Sequence, residues 1–205
     1  MKTFLFQGDS ITDTCRLRDN DGSLGSGYPN LTAAKIDFDH PGEFRFVNKG
    51  VSGDRSTNLY ARCAFEMATY KPDYMSVLIG VNDVWHALSQ EMPVLHDRYE
   101  QVVSMLIEDA ITAFPQLKVY ILEPFVLKGS ATNAKWEEFD TNTRAIAQIA
   151  RKLAQKYELT FIPLQEKFDE VASRSAPENW LIDGVHPSAA GHELISRELF
   201  LATGL

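Results

Sequence analysis

Short, almost continuously apolar segments alternate with longer segments of helical periodicity from one end of the chain to the other. The apolar segments have the length of β-strands, and they lack the polar alternation of strands that face solvent on one side. Continuous apolar character of this kind suits parallel strands that are covered on both faces. The predicted strands are residues 3–6, 44–48, 74–79, 118–122 and 160–162.

The intervening segments repeat apolar residues at steps of three and four, which is the period of an amphipathic helix. The two longest predicted helices cover residues 93–114 and 136–157, and shorter ones cover residues 28–37, 56–70, 165–173 and 188–201. Strands that alternate with helices indicate a parallel sheet with right-handed crossovers. We therefore expect an α/β fold of three layers, with a five-stranded parallel sheet between helices, in a single domain over residues 1–205.

Composition and charge exclude several classes of protein. Of the 205 residues, 44% are hydrophobic and 23% are charged, which excludes a disordered, collagen-like or coiled-coil chain. The net charge of −8 disfavours nucleic acid and anionic membranes as partners. No apolar segment approaches the roughly 18–20 residues of a membrane span, and the apolar start is too short for a signal peptide. We expect a cytoplasmic protein.

Polar residues that could take part in catalysis or binding cluster just after the predicted strands. Ligands of open α/β sheets bind beyond the carboxyl ends of the strands, so these segments form the expected site. They are residues 8–10, 50–53, 80–83, 123–129 and the segment that leads to 183–186.

Ser10, Asp183 and His186 are the candidate catalytic residues. Asp183 and His186 are three residues apart on a turn that contains Gly184, so the carboxylate can accept from one ring nitrogen and leave the other free for Ser10. Capping of helices and turns is the alternative role for all three. No Gly-x-Ser-x-Gly motif is present, which disfavours an ordinary α/β-hydrolase.

Gly53 and Asn82 are candidate donors to an oxyanion. Gly53 could present its backbone N–H, and Asn82 its side-chain amide, to the same oxygen as the Ser10 N–H. The loss of one such donor typically raises the barrier by about 3–4 kcal/mol. The alternatives are a turn glycine with positive φ and an Asx-turn asparagine.

Together these motifs resemble the four sequence blocks of the SGNH hydrolases, also called GDSL esterases. The matching residues are Gly8-Asp9-Ser10-Ile11, Gly53, Gly80-x-Asn82-Asp83 and Asp183-x-x-His186-Pro187, and the resemblance covers essentially the whole chain. It implies that Ser10 is the nucleophile, His186 the base and Asp183 its orienting acid. It also implies an oxyanion hole from the Ser10 and Gly53 N–H groups and the Asn82 amide, a five-stranded flavodoxin-like sheet, and no metal or organic cofactor.

Within that family the chain is most similar to bacterial carbohydrate acetylesterases of the acetyl xylan esterase type. The features shared are Leu24-Gly25-x-Gly27-Tyr28, Val84-Trp85 after the Asn82 block, Leu122-Glu123-Pro124-Phe125, and Trp180. This resemblance implies a serine esterase that removes short acyl groups, acetyl above all, from sugars or oligosaccharides through an acyl-serine intermediate. Residues 128–135 are then expected to line the acyl or leaving-group side of the site.

Two alternative functions stay open at this point. One is a thioesterase or lysophospholipase of the same family, although the loops after the first and fourth strands are poor in apolar residues for binding long acyl chains. The other is a non-hydrolytic flavin or phosphate binder, suggested by the polar residues 10–14, although this loop lacks the glycines that let backbone approach a phosphate. A small acyl ester is the expected partner, and the oligomeric state, including a homo-oligomer, is left open.

The remaining notable side chains receive ordinary roles. Cys15 and Cys63 are expected to be reduced thiols, with one disulfide as the alternative. We expect surface or helix-end positions for His40, His96 and His192. Hydrogen-bonding or ion-pair roles are expected for Asp9 and Arg55, the charged residues next to the motifs. His86 is expected to border the pocket without a catalytic role, and Trp85, Trp136 and Trp180 to stack on sugars or pack in the interior.

Overall fold

A five-stranded parallel sheet forms the centre of the molecule, in the strand order β2-β1-β3-β4-β5. The computed structural model describes all residues, Met1–Leu205. The strands are β1 (Lys2–Gly8), β2 (Phe44–Asn48), β3 (Tyr74–Leu78), β4 (Lys118–Leu122) and β5 (Thr160–Ile162). All five predicted strands are present, and three of them have the predicted bounds. The first is longer at both ends, and the third ends one residue earlier.

The two central strands explain why their sequences are continuously apolar. Every residue of β3 is buried, and so is every residue of β1 after Lys2. Phe4 of β1 pairs in register with Phe46 of β2 on one side and with Tyr74 of β3 on the other. Because helices cover both faces of the sheet, side chains that point to either face lie in the interior.

Eight α-helices surround the sheet. They are α1 (Ser10–Asp13), α2 (Tyr28–Asp39), α3 (Ser56–Tyr70), α4 (Val81–Ser89), α5 (His96–Ala113), α6 (Trp136–Lys156), α7 (Gln165–Ala172) and α8 (Ala189–Thr203). Helix α2 packs against α8, whereas α3, α5 and α6 pack side by side as a second group. This confirms the predicted α/β fold of three layers. None of the helices combines the length and apolar character needed to cross a membrane.

The six longer predicted helices are all present, with ends shifted by at most three residues, and the short helix suggested after Ser10 is also present. Helix α4 was not predicted, because residues 80–83 were identified only as a candidate site segment after the third strand. Val81, Val84, Trp85 and Leu88 do follow helical spacing. The asparagine, aspartate and valines of this segment are weak helix formers. Their low helix propensity is why the helical spacing did not lead to a predicted helix.

Both cysteines are free thiols, as expected, with Cys63 buried and Cys15 exposed. The three histidines expected at the surface or at helix ends all lie at helix ends. His40 follows the last residue of α2, and His96 is the first residue of α5.

His192 also lies at a helix end, but it is buried rather than on the surface. It lies in the first turn of α8 but is only 8% exposed, against the start of α2. Its Nδ1 accepts a hydrogen bond from the Tyr28 N–H at 3.3 Å, which requires this nitrogen to be unprotonated. Burial, followed by the charge of His186, lowers the pKa of His192 to about 4.

The pKa of His192 makes stability depend on pH. Between about pH 6.5 and pH 4 the unfolded chain binds a proton that the folded chain excludes, so the free energy of unfolding decreases as pH falls through this range. At about 1.4 kcal/mol for each pKa unit, we expect His192 to account for roughly 3 kcal/mol of that loss. Urea denaturation at several pH values should show a flatter dependence in His192→Gln than in the wild type. The matched control His40→Gln should keep the wild-type dependence, and an unchanged slope in His192→Gln would contradict the assignment.

Candidate active site

In the turn from β1 into α1, the hydroxyl of Ser10 is not used to cap the helix. Asp9 is the N-cap of α1, because its Oδ1 accepts a hydrogen bond from the Ile11 N–H at 2.9 Å. The alternative that Ser10 caps this helix is therefore wrong. The Ser10 hydroxyl projects from the carboxyl edge of the sheet, where the architecture predicted the site.

Ser10, His186 and Asp183 form one hydrogen-bonded line. The Ser10 Oγ lies 3.0 Å from the His186 Nε2, and the His186 Nδ1 lies 2.7 Å from the Asp183 Oδ2. The other carboxylate oxygen of Asp183 accepts from the N–H groups of Val185 and His186, at 2.9 and 2.8 Å. A carboxylate held in this way keeps the proton on Nδ1 and leaves Nε2 to accept from the hydroxyl.

Electrostatics distinguish the two aspartates near the imidazole. Burial by itself would raise the pKa of Asp183, but the hydrogen bonds from the His186 N–H, the His186 ring and the Val185 N–H outweigh it and lower that pKa. Burial raises the pKa of Asp9 to about 7, against the hydrogen bond from Ile11. Asp183 is thus a carboxylate at neutral pH, whereas Asp9 is partly protonated and leaves its Oδ2 without a partner.

The turn of Asp183 and His186 is fixed by the segment that follows β4. Gly184 has a φ of +98°, in the left-handed region that favours glycine. Its carbonyl accepts from the Leu127 N–H, and the Asp183 carbonyl accepts from the Ala131 N–H, both at 2.9 Å. Ala131, in the segment 128–135 that was expected to line the site, therefore also supports the turn of Asp183 and His186.

A small, mostly apolar cavity is lined by Trp85, which also contacts the imidazole. The ring of Trp85 is 5.8 Å from that of His186, centroid to centroid. The cavity has a volume of about 220 Å³, and Ala131, Ala134 and Lys135 of the 128–135 segment line it. Its lining residues are Trp85, Leu88, Ser89, Ala131, Ala134, Lys135 and Phe139.

The three candidate oxyanion donors come from three different strand ends. Asn82, in the first turn of α4, donates one amide hydrogen to the Asp54 carbonyl at 3.1 Å, which joins α4 to the loop of Gly53 and leaves its second hydrogen free. The N–H groups of Ser10 and Gly53 have no acceptor within the chain. Gly53 also has a φ of +84°, so the turn-glycine role and the donor role are compatible. Asn82 lies within a helix, so the Asx-turn alternative is wrong.

Arg62 is a residue near the site that sequence reasoning missed. It donates to the Gly8 carbonyl at 3.0 Å and forms ion pairs with Asp54 at 2.8 Å and Glu66 at 2.7 Å. It thereby ties the end of β1 to the loop that precedes α3. Only its spacing of four residues from Glu66 is visible in the sequence, because the other contacts depend on the tertiary fold.

Fold and geometry together define a class of protein. A parallel sheet with a serine, a histidine and an aspartate in one hydrogen-bonded line at its carboxyl edge has the arrangement of a serine hydrolase. Residues 6–194 match the model of the GDSL-like Lipase/Acylhydrolase family. The chain belongs to this family, and it is a serine ester hydrolase.

Relatives and solved structures agree with this placement. The chain is 32% identical over 210 residues to an acetylxylan esterase of Geobacillus stearothermophilus. The alignment covers 98% of this chain and 93% of that protein. A structure of that esterase superposes with a TM-score of 0.87 at 30% identity, over 100% of this chain and 94% of the other. A GDSL-like lipase from Parabacteroides merdae gives a TM-score of 0.92 at 32% identity, over 99% and 95%. The predicted family, the similarity to acetyl xylan esterases and the fold class are confirmed.

Proposed function

We propose that the protein removes acetyl groups from sugars or oligosaccharides, with Ser10 as the nucleophile. The hydrogen-bonded line from Ser10 through His186 to Asp183 is the observation that carries the proposal. The choice of acetylated carbohydrate as substrate rests on the similarity to an acetylxylan esterase over nearly the full length of both chains.

In the proposed mechanism the Ser10 Oγ attacks the ester carbonyl carbon while the His186 Nε2 accepts its proton. The resulting imidazolium is stabilised by the Asp183 carboxylate 2.7 Å from Nδ1. Nε2 then gives the proton to the sugar oxygen as the carbon–oxygen bond breaks, which leaves an acetyl group on Ser10. Water attacks this acetyl-serine with His186 as the base, acetate leaves, and the proton returns to Ser10.

The proposed oxyanion hole consists of the Ser10 and Gly53 N–H groups and the Asn82 amide. The negative charge that develops on the carbonyl oxygen would meet donors that are already fixed by β1, the loop before α3 and the start of α4. Donors that need no reorientation during the reaction stabilise the transition state more than mobile water does.

Variants of the Geobacillus esterase support the residue assignments. Three of its solved variants, each described as a catalytic mutant, replace a serine, an aspartate and a histidine by alanine. The aspartate and histidine are three residues apart there, as Asp183 and His186 are here.

The remaining sequence-based statements stay predictions. They are the single domain over residues 1–205, the cytoplasmic location, the absence of nucleic acid and membrane partners, and a homo-oligomer as one alternative for the oligomeric state. No specific contact favours a longer acyl chain, a flavin or a phosphate as ligand.

An acyl-length series tests the proposed function. We expect the highest kcat/KM for p-nitrophenyl acetate, a lower value for the butyrate, and a loss of about tenfold or more for the octanoate, since small pockets exclude extra methylenes. Acetate release from acetylated xylo-oligosaccharides should accompany this preference. A higher kcat/KM for the octanoate would contradict the proposal and favour the lysophospholipase or thioesterase alternative.

A further inference from the structure

Helix α4, whose first turn carries Asn82, contributes residues to two cavities. Trp85 lines the small apolar cavity described above, whereas Asp83 and His86 line a second cavity of about 280 Å³. His86 lies one helical turn after Asn82, on the same face of α4. Arg55, which also lines the second cavity, directly follows the residue whose carbonyl accepts from Asn82. The second cavity therefore begins beside a proposed oxyanion donor.

This cavity holds two arginines that no carboxylate of the chain pairs with. Seven of the ten arginines form ion pairs. Arg16 is buried and donates to the Gly50 carbonyl. The remaining two, Arg55 and Arg98, line the same cavity. The guanidinium of Arg55 makes one hydrogen bond within the chain, to the Asn58 amide oxygen. The guanidinium of Arg98 makes none.

The one carboxylate in the cavity is already engaged. The two oxygens of Asp83 accept from the N–H and the hydroxyl of Ser56, at 2.9 and 2.6 Å. Neither guanidinium is hydrogen-bonded to it. The charge of Arg55 does act on Asp83 and lowers its pKa, against the larger effect of burial, which raises it. Two guanidinium groups thus face one carboxylate, which leaves the cavity with an excess of positive charge in a chain whose net charge is −8.

An apolar rim completes the cavity. Met92 and Leu95 line it and are 59% and 58% exposed, and Pro93 lies between them. These apolar side chains can contact the C–H groups of a sugar ring, and the volume of about 280 Å³ is close to the lower end of the range for small-ligand sites. Guanidinium groups bind carboxylates through two parallel hydrogen bonds, which gives both affinity and orientation.

We propose that this cavity binds a carboxylate-bearing sugar unit, a uronic acid, of the acetylated oligosaccharide. The inference rests on the proposed function and names the substrate class more narrowly. The carboxylate must belong to the alcohol half of the ester, because an acetyl group carries no charge and is far smaller than the cavity. Arg98 and Arg55 are its proposed ligands, and Met92 and Leu95 its apolar support.

The test compares kcat/KM for acetate release from two substrates, an acetylated neutral xylo-oligosaccharide and the same oligosaccharide bearing a glucuronic acid unit. At low ionic strength we expect the wild type to prefer the acidic substrate by about fivefold to tenfold, mainly through KM. Arg98→Gln should bring the ratio close to one, and Arg98→Glu should bring it below one. The control Arg197→Gln removes an exposed arginine of α8 and should keep the wild-type ratio.

Three outcomes would overturn the inference. The first is an equal ratio in the wild type and both Arg98 variants. The second is a preference, dependent on Arg98, for a hemisuccinate ester of the neutral oligosaccharide, because that would place the carboxylate on the acyl half. The third is a wild type that cleaves p-nitrophenyl acetate but releases acetate from neither sugar, a result that contradicts the proposed function itself and is distinguishable from the other two.

Discussion

Replacement of Ser10 by alanine is expected to lower kcat for p-nitrophenyl acetate by about 10,000-fold or more, with little change in thermal stability. The proposed reaction has no other hydroxyl at the His186 Nε2, so the acyl-serine intermediate cannot form. Stability should hold because the only side-chain hydrogen bond of Ser10 is the one to His186.

Purified wild type and Ser10→Ala should be compared by stopped assays at high enzyme concentration and by thermal unfolding. Ser173→Ala is the matched control, since Ser173 lies after α7 and its hydroxyl contacts only the Glu170 carbonyl. A Ser10→Ala protein that keeps activity within tenfold of the wild type would remove Ser10 as the nucleophile.

Asp183→Asn is expected to lower kcat by about 10,000-fold while His186 stays in place. The asparagine oxygen can still accept from the N–H groups of Val185 and His186, so the turn should persist. Its amide would then donate toward the His186 Nδ1 and favour the other tautomer of the ring. Nε2 would carry the proton and could no longer accept one from the Ser10 hydroxyl.

The wild type and Asp183→Asn should be compared by kcat and by an NMR spectrum of the imidazole nitrogens. The spectrum reports which ring nitrogen carries the proton. Asp37→Asn, an exposed substitution near the end of α2, serves as the control for loss of one carboxylate. A full-rate Asp183→Asn enzyme would show that the carboxylate does not orient His186. Asp9 is not expected to replace it, because its raised pKa leaves it partly protonated at neutral pH.

The sheet and the position of the site were predictable because they depend on patterns that are local in the sequence. Continuously apolar strands signalled a sheet covered on both faces, and the polar residues after each strand marked its carboxyl edge. The pairing of Ser10 with His186 is different, since 176 residues separate them. Local patterns left capping roles open for these residues, and the family resemblance supplied the assignment that the geometry now supports.

What the sequence concealed depends on contacts between distant elements. The burial of His192 follows from the packing of α8 against α2, and Arg62 gains its partners only when β1 and the loop before α3 meet. Helix α4 was hidden by residues of weak helix propensity that are stabilised by tertiary packing, with Val81 and Val84 buried. Capping of α1 was considered as an alternative role for Ser10, whereas the structure shows that Asp9 is the cap.

Covalent labelling tests the central claim most directly. A fluorophosphonate reacts with a serine hydroxyl only when a base activates it, so we expect mass spectrometry to find one label per chain, on the peptide that contains Ser10. His186→Ala should slow this labelling strongly, whereas heat-denatured protein should not react. A label on another residue, or none on a protein that still hydrolyses p-nitrophenyl acetate, would contradict a mechanism in which the two ends of the chain share one reacting centre.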